Sequence, residues 1–311
     1  MKWVPERRLQ WQDLLPADVL EGVQHLELLA RRKKRGLAGG AHRGAGLGSS
    51  VEFKEHREYE PGDDLRRLDW RVMARSDRNV IKQFTMETSL GVRLVVDSSG
   101  AMAFRGKGVI PGRKGGLSLS KGRYASHLAA VLARIFLRQG DRVGMEVLGG
   151  AQAIGLEGRP QQLQRICRQL VDVVFHGESD LVEGLEEVTH RTKGSGLTVV
   201  LSDFLSPLDA GKLRRLLAGL KAKGQEVALI QVLAAEELEF PFEKSGRFRS
   251  LIDPKVSIRV DPKELRQTYL AKLEERRLML ESVVGKTGGV FLTVRTDESV
   301  SQALERYLQR S

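Results

Sequence analysis

Apolar residues change their spacing twice along the chain, and each change marks a boundary. From Leu14 to Leu29 they recur at helical intervals (Leu15, Val19, Val23, Leu26, Leu29), with Pro16 near the start, where proline is tolerated. An N-terminal helical segment over residues 1–35 is predicted. Residues 36–50, GLAGGAHRGAGLGSS, hold so much glycine that a linker is expected instead of a regular element. A charge-dense segment fills 51–90, with a Pro61-Gly62 turn and, at its end, a short apolar–polar alternation that fits an edge strand.

Beyond residue 90 the rhythm becomes strand–helix–strand. Gly91–Val96 is a buried-strand pattern ending at Asp97, and Tyr124, Leu128, Val131, Leu132, Ile135 and Phe136 line one helix face closed by Gly140. Val143–Leu148 and the return run AQAIGL flank Gly149-Gly150 as a hairpin. Helices follow near 159–173 and 180–191, then a strand at Leu197–Leu201, a helix at Leu208–Lys223 and a strand at Val227–Val232. A polar insertion around 235–260 carries a second strand pair, Arg247–Ile252 and Val256–Val260. Asp261-Pro262-Lys263-Glu264 offers an N-cap, a first-position proline and a capping glutamate, so a long helix starts there and runs to about Val284. A strand at Val290–Val294 and a terminal helix close the chain. Residues 91–311 are therefore read as one α/β domain with a mostly parallel sheet covered by helices on both faces.

Composition narrows the class. Aromatics make up only 5% of the 311 residues against 41% hydrophobic overall, so the core is built from Leu, Val, Ile and Ala, as in helices packed on a parallel sheet. The one cysteine, Cys167, excludes an intramolecular disulfide framework and fits a reducing compartment. No run approaches the roughly 20 apolar residues of a membrane span, and the N-terminus lacks the apolar stretch of a signal peptide, so a cytoplasmic protein is expected. The net charge of +11 is unevenly spread. Ser98 to Gly140 contains no Asp or Glu but carries Arg105, Lys107, Arg113, Lys114, Lys121, Arg123, Arg134 and Arg138, and Arg31–Arg35 is a second basic run. Two readings stand side by side: a solvated positive face, or attraction of an anionic partner.

Chemistry is expected where strands end, because ligands of open parallel sheets bind at the strands' carboxyl ends. One such end reads Asp97-Ser98-Ser99-Gly100-Ala101, another Ser202-Asp203-Phe204, and a loop between them offers Ser179. Carboxylates with hydroxyls and waters suit Mg²⁺. Equally, Asp and Ser after a strand often only cap the next helix.

A longer pattern adds to this. Glu52-Phe53, Arg57-Glu58-Tyr59-Glu60-Pro61-Gly62-Asp63-Asp64, Arg66, Leu68-Asp69-Trp70, Ala74-Arg75, Glu87 and the Val96–Ser99 strand end resemble the bacterial family known as domain of unknown function 58. Gly140–Gly144, Leu201–Phe204 and the tail around Tyr269 fit as well. The order strand–DxS, basic loop, helix, GxSDL loop, strand–SDF resembles a von Willebrand factor A domain. The resemblance implies a von Willebrand A-like fold with a metal-ion-dependent adhesion site, binding Mg²⁺ (or Mn²⁺ or Ca²⁺). It also implies a MoxR-type AAA+ ATPase as partner, an unknown client protein, and an adaptor role in assembly or maturation without catalysis. Carried onto this chain, Asp97 stands near the cation, Ser99 is a direct ligand, Ser179 takes the place of the usual Thr, and Asp203 is the distal carboxylate. Ala101 departs from the pattern, since a methyl group replaces a ligand hydroxyl and a water must fill the gap.

The signature residues Arg57, Tyr59, Asp63, Asp64, Arg66, Asp69, Trp70 and Arg75 admit two readings. One is an ion-pair network that packs the 51–90 segment on the main domain; the other is a docking surface for the ATPase. Residues 105–122 lack the spacing of a nucleotide loop and are read as a basic loop beside the site. The six histidines show no metal-ligand spacing; His176 is taken as an exposed loop residue and Cys167 as core. Two further functions compete. A nucleic-acid-associated protein is suggested by the basic balance but disfavoured, because the basic segments lack interleaved aromatics. A Mg²⁺-dependent hydrolase built on Asp97 and Asp203 lacks a good general base.

Overall fold

The computed structural model describes residues 10–16, 19–21, 50–60, 68–76, 78–87, 89–106, 119–150, 153–253 and 255–310. Most of the N-terminal helical segment, the Gly-rich stretch, Asp63, Asp64, Arg66 and most of the basic loop lie outside them. The chain divides into two compact units, Ala41–Ser89 on the one hand and Met1–Gly40 with Leu90–Ser311 on the other.

In the smaller unit, β1 (Ser50–Glu58) pairs antiparallel with β2 (Val80–Glu87), with an irregular register between Phe53 and Glu55. The alternation in the sequence gives β2 but not β1, whose second half is too charged to read as a strand. The helix α1 (Trp70–Ser76) begins at Asp69, whose Oδ1 accepts the N–H groups of Arg71 and Val72 at 3.0 and 3.4 Å.

The larger unit is built on a six-stranded sheet in the order β10-β7-β6-β3-β4-β5. Its strands are β3 (Gly91–Asp97), β4 (Arg142–Leu148), β5 (Ile154–Glu157), β6 (Gly196–Ser202), β7 (Gln225–Leu233) and β10 (Val290–Arg295). All neighbours are parallel except β5, which returns from β4 as the expected hairpin and makes an antiparallel edge. Residues alternate between two cores. Val92, Leu94, Val96, Val199 and Ile230 face α2 (Lys121–Arg138), α3 (Gln161–Asp172) and α8 (Val300–Arg310). Val95, Val200 and Leu229 face α4 (Leu181–Arg191), α5 (Ala210–Ala222) and α7 (Pro262–Lys286). Leu14 is fully buried in the first core, so the described part of the N-terminal segment packs on this unit. Cys167 is buried there too, as expected.

The expected α/β architecture, a mostly parallel sheet with helices on both faces, is borne out. The insertion also appears, as the separate hairpin β8 (Gly246–Arg249) and β9 (Ser257–Val260). A short helix before it, α6 (Ala235–Glu239), was not legible in the sequence. From β3 the chain first adds strands on one side (β4, β5) and then on the other (β6, β7, β10). The order therefore reverses between β3 and β6, the place where open parallel sheets form a binding crevice at the strands' carboxyl ends.

Candidate functional site at the carboxyl ends of β3 and β6

Asp97 closes β3 and is almost fully buried. Its Oδ1 accepts the Ser99 N–H at 2.8 Å and the Ser179 hydroxyl at 2.9 Å, and its Oδ2 accepts the Ser202 hydroxyl at 2.6 Å. One carboxylate thus ties together β3, the loop before α4 and the end of β6. Ser179 is brought there by backbone pairing. The Gly100 N–H donates to the Gly177 carbonyl at 2.8 Å and the His176 N–H to the Ser98 carbonyl at 3.1 Å, while Gly177 takes a left-handed φ of 67°. Gly100 has no room for a side chain, since a Cβ would stand 2.6 Å from the Leu251 carbonyl oxygen.

The adjacent serines differ. The Ser98 hydroxyl donates to the Leu148 carbonyl at 2.5 Å. Ser99 is fully buried, and its Oγ has no hydrogen-bond partner among the described residues. Such an orphan costs about 1–3 kcal/mol and calls for an explanation.

Asp203, fully buried, follows a different logic. Its Oδ1 accepts the Leu205 N–H at 2.9 Å, and its Oδ2 accepts the Lys121 ammonium at 2.7 Å. The same ammonium donates to Glu237 Oε1 at 2.7 Å, and Glu237 Oε2 accepts the Ala234 N–H at 2.9 Å. Lys121 is fully buried and lies 5.7 Å from the centre of the Phe104 ring. Burial pushes its ammonium toward losing the proton, but the charges of Asp203 and Glu237 outweigh that and hold its pKa above the ordinary lysine value. Burial raises Glu237 above the usual carboxylate value, against the pull of Lys121. Tyr269 is pushed above the usual phenol range by burial, then by the negative charge of Glu237 and Asp203.

This corrects the sequence reading of 105–122. Lys121 belongs to no exposed loop; it is the first residue of α2, with Ser120 as N-cap. Nor does Arg123 project into solvent. Its guanidinium donates to the Leu170 and Val171 carbonyls and stacks over Phe175. Two cations of the acid-free stretch are therefore absorbed by the fold, which thins the basic face.

The structure brings Asp97, Ser99 and Ser179 together at the end of β3, and Asp203 follows Ser202, which bonds Asp97 from the end of the neighbouring β6. Three residues given no role from sequence belong with them: Ser202, Lys121 and Glu237. In the smaller unit Asp69 caps α1 and meets His56 at 3.0 Å, and Arg57 pairs with Glu60 at 3.2 Å. Tyr59 donates its N–H to the Asn79 carbonyl; Arg75 is exposed in the last turn of α1, and Trp70 is 60% exposed. Asp63, Asp64 and Arg66, the other charged members of the signature, lie outside the described residues.

Whether the crevice suits a divalent cation follows from its donors. Ser99 Oγ is a free buried oxygen, as a ligand would be. Against this, both oxygens of Asp97 already accept hydroxyls, Ala101 offers no oxygen, and both oxygens of Asp203 are taken, one by an ammonium. Mg²⁺ needs hard oxygen donors in near-octahedral array. In this arrangement the residues do not fit it.

Beside Ser179 runs a groove of about 760 Å³ between Gly149 and α4. Glu178, Asp180, Glu183 and Glu187 line it, with Arg191 as the one cation among the described residues of its wall. On a chain of net charge +11, this strip is locally acidic.

The relatives found by sequence carry no named activity. Uncharacterized proteins of Mycobacterium tuberculosis and Mycobacterium bovis are 26% identical over 300 residues, spanning 92% of this chain and 87% of theirs. A crystal structure of the SpRpn10 VWA domain aligns over 71% of this chain and 95% of its own, with a TM-score of 0.39 and 11% identity. The family described as protein of unknown function DUF58 matches residues 55–278, well over half of the sequence, and the chain belongs to that family.

Proposed function

We propose that this chain is a non-enzymatic protein-interaction module of the von Willebrand A type, docking its partner at the β3–β6 crevice. It works with a MoxR-type AAA+ ATPase in protein assembly or maturation. The observation that carries this reading is Ser99: a hydroxyl buried without a partner among the described residues, at the topological switch point of a parallel sheet. Serine hydroxyls at the crevice donate to Asp97 and to the Leu148 carbonyl, and His176, the histidine nearest in sequence to Ser179, is exposed. That arrangement supports recognition over nucleophilic catalysis, which needs a base oriented on its nucleophile.

The groove beside Ser179 shapes the expected partner. A von Willebrand A-type site that works through a metal receives an acidic side chain. Here the acidic wall of Glu178, Glu183 and Glu187 favours a segment rich in Lys or Arg. Burial of Lys121 and the capture of Arg123 weaken the case for nucleic acid.

The test is capture of a purified MoxR-type ATPase by the full chain and by its Ser99→Ala, Ser179→Ala and Glu183→Lys variants. Wild type is expected to retain the ATPase and all three variants to lose most of it. Equal capture by wild type and variants would remove the crevice as docking site, and no capture by wild type would remove the ATPase as partner.

A further inference from the structure

We infer that Lys121 is the resident cation of the β3–β6 crevice, so that the crevice is assembled and held ready for its partner without a divalent metal. The geometry carries this. The Lys121 ammonium sits between Asp203 and Glu237 at 2.7 Å from each, and the Lys121 and Asp203 side chains are 1% exposed, that of Glu237 13%. Three buried charges that close form a unit. Deleting the ammonium leaves two carboxylates in a medium that solvates neither. Conversely, a divalent cation approaching Asp203 meets one oxygen held by the ammonium and the other by the Leu205 N–H. It would also meet the repulsion of a fixed positive charge in a low-dielectric surrounding.

The neighbouring carboxylate is closed in a second way. Asp97 takes three hydrogen bonds from within the chain, two of them hydroxyls a metal site would need as ligands or as donors to bound water. The absent hydroxyl at Ala101 is consistent with both. The crevice therefore has two organising centres: Asp97, organised by hydroxyls, and Asp203, organised by an amine. Its charge is fixed from within, and its readiness is independent of Mg²⁺ supply.

This rests on the reading of the crevice as the functional edge, and its test is separable because no partner enters it. Mn²⁺ is titrated into the full chain and into Lys121→Ala, followed by the electron paramagnetic resonance of free Mn²⁺ and by thermal melting. Wild type is expected to show no saturable binding and no shift in melting temperature with Mn²⁺, Mg²⁺ or EDTA. Lys121→Ala, with two carboxylates and an emptied amine position, is expected to gain a saturable site and to melt higher with Mn²⁺. Saturable Mn²⁺ binding by wild type that Asp203→Asn abolishes overturns the inference, as does a folded Lys121→Ala that takes no Mn²⁺. Should Lys121→Ala not fold, wild type alone decides through its lysine ¹⁵N–¹H ammonium spectrum. One slowly exchanging signal, absent from Lys121→Arg and unmoved by millimolar Mg²⁺, is expected. No protected signal, or one displaced by Mg²⁺, overturns the proposal. Either failure leaves docking at Ser99 untouched, whereas ATPase capture unaffected by Ser99→Ala ends that reading alone.

Discussion

Two adjacent serines should respond to the same substitution in opposite ways. Ser99→Ala deletes a buried hydroxyl that has no partner among the described residues, so it removes a desolvation cost of about 1–3 kcal/mol and loses only the small contact area of one oxygen. The net expectation is a change between zero and about 1 kcal/mol in favour of folding. Ser98→Ala deletes a donor to the Leu148 carbonyl at the end of β4 and leaves that carbonyl short of a bond, a loss of about 1 kcal/mol or more. The two variants should therefore differ by roughly 2 kcal/mol, equivalent to about 4 °C in melting temperature for a unit of this size. Urea unfolding followed by far-UV circular dichroism gives the midpoints, and an unchanged slope certifies that the same transition is compared. Partner capture is the second readout, and it should fall for Ser99→Ala despite the gain in stability. If Ser99→Ala unfolds as early as Ser98→Ala, the hydroxyl is a structural bond donor and the inference from its isolation is wrong.

Three further outcomes are expected. Burial pushes the Cys167 thiol from 9.0 up to about 12. The folded chain then keeps a proton that the unfolded chain loses, and stability present below about pH 9 should decline at roughly 1.4 kcal/mol per pH unit as pH rises toward 12. Lys121, Tyr124, Tyr269 and Tyr307 push the same way at higher pH, so the share of Cys167 is read as the difference between wild type and Cys167→Ala; parallel pH profiles of the two would refute it. In the smaller unit, Asp69→Ala should cost about 1–2 kcal/mol locally by uncapping α1, seen as faster amide exchange at Arg71 and Val72, with Asp69→Asn restoring most of it. Gly196→Ala should destabilise by about 1–3 kcal/mol, because its Cβ would stand 2.2 Å from the Gly91 carbonyl and force β3 and β6 apart; an unchanged urea midpoint would refute that packing.

Much of the fold was legible because its information is local. The apolar runs at Gly91–Val96 and Leu197–Leu201, the Gly140 C-cap and the Asp261-Pro262 helix start each declare themselves within a few residues. What was missed needed a partner to exist. β1 reads as a charged segment because its pairing with β2 bridges roughly thirty residues of chain, and five-residue α6 is too short to show a period. Terminal carboxylates followed the same division. Asp97 and Asp203 were found because they end strands, and strand ends are where a parallel sheet binds.

The cation at the crevice was hidden by sequence distance and by a habit of counting. Lys121 lies 82 residues from Asp203 and 116 from Glu237, so nothing local pairs them. Summed with Arg105 and Lys107, it passes for one more charge on a basic face. Yet one local sign was present. Lys121 continues the stripe of Tyr124, Leu128 and Val131 at intervals of three and four, which places a charge in line with the buried face of α2. A lysine in an apolar stripe is either at the surface end of its helix or paired inside, and full burial decides for the second. The same logic accounts for two buried carboxylates at neighbouring strand ends: hydroxyls organise Asp97, and an amine neutralises Asp203.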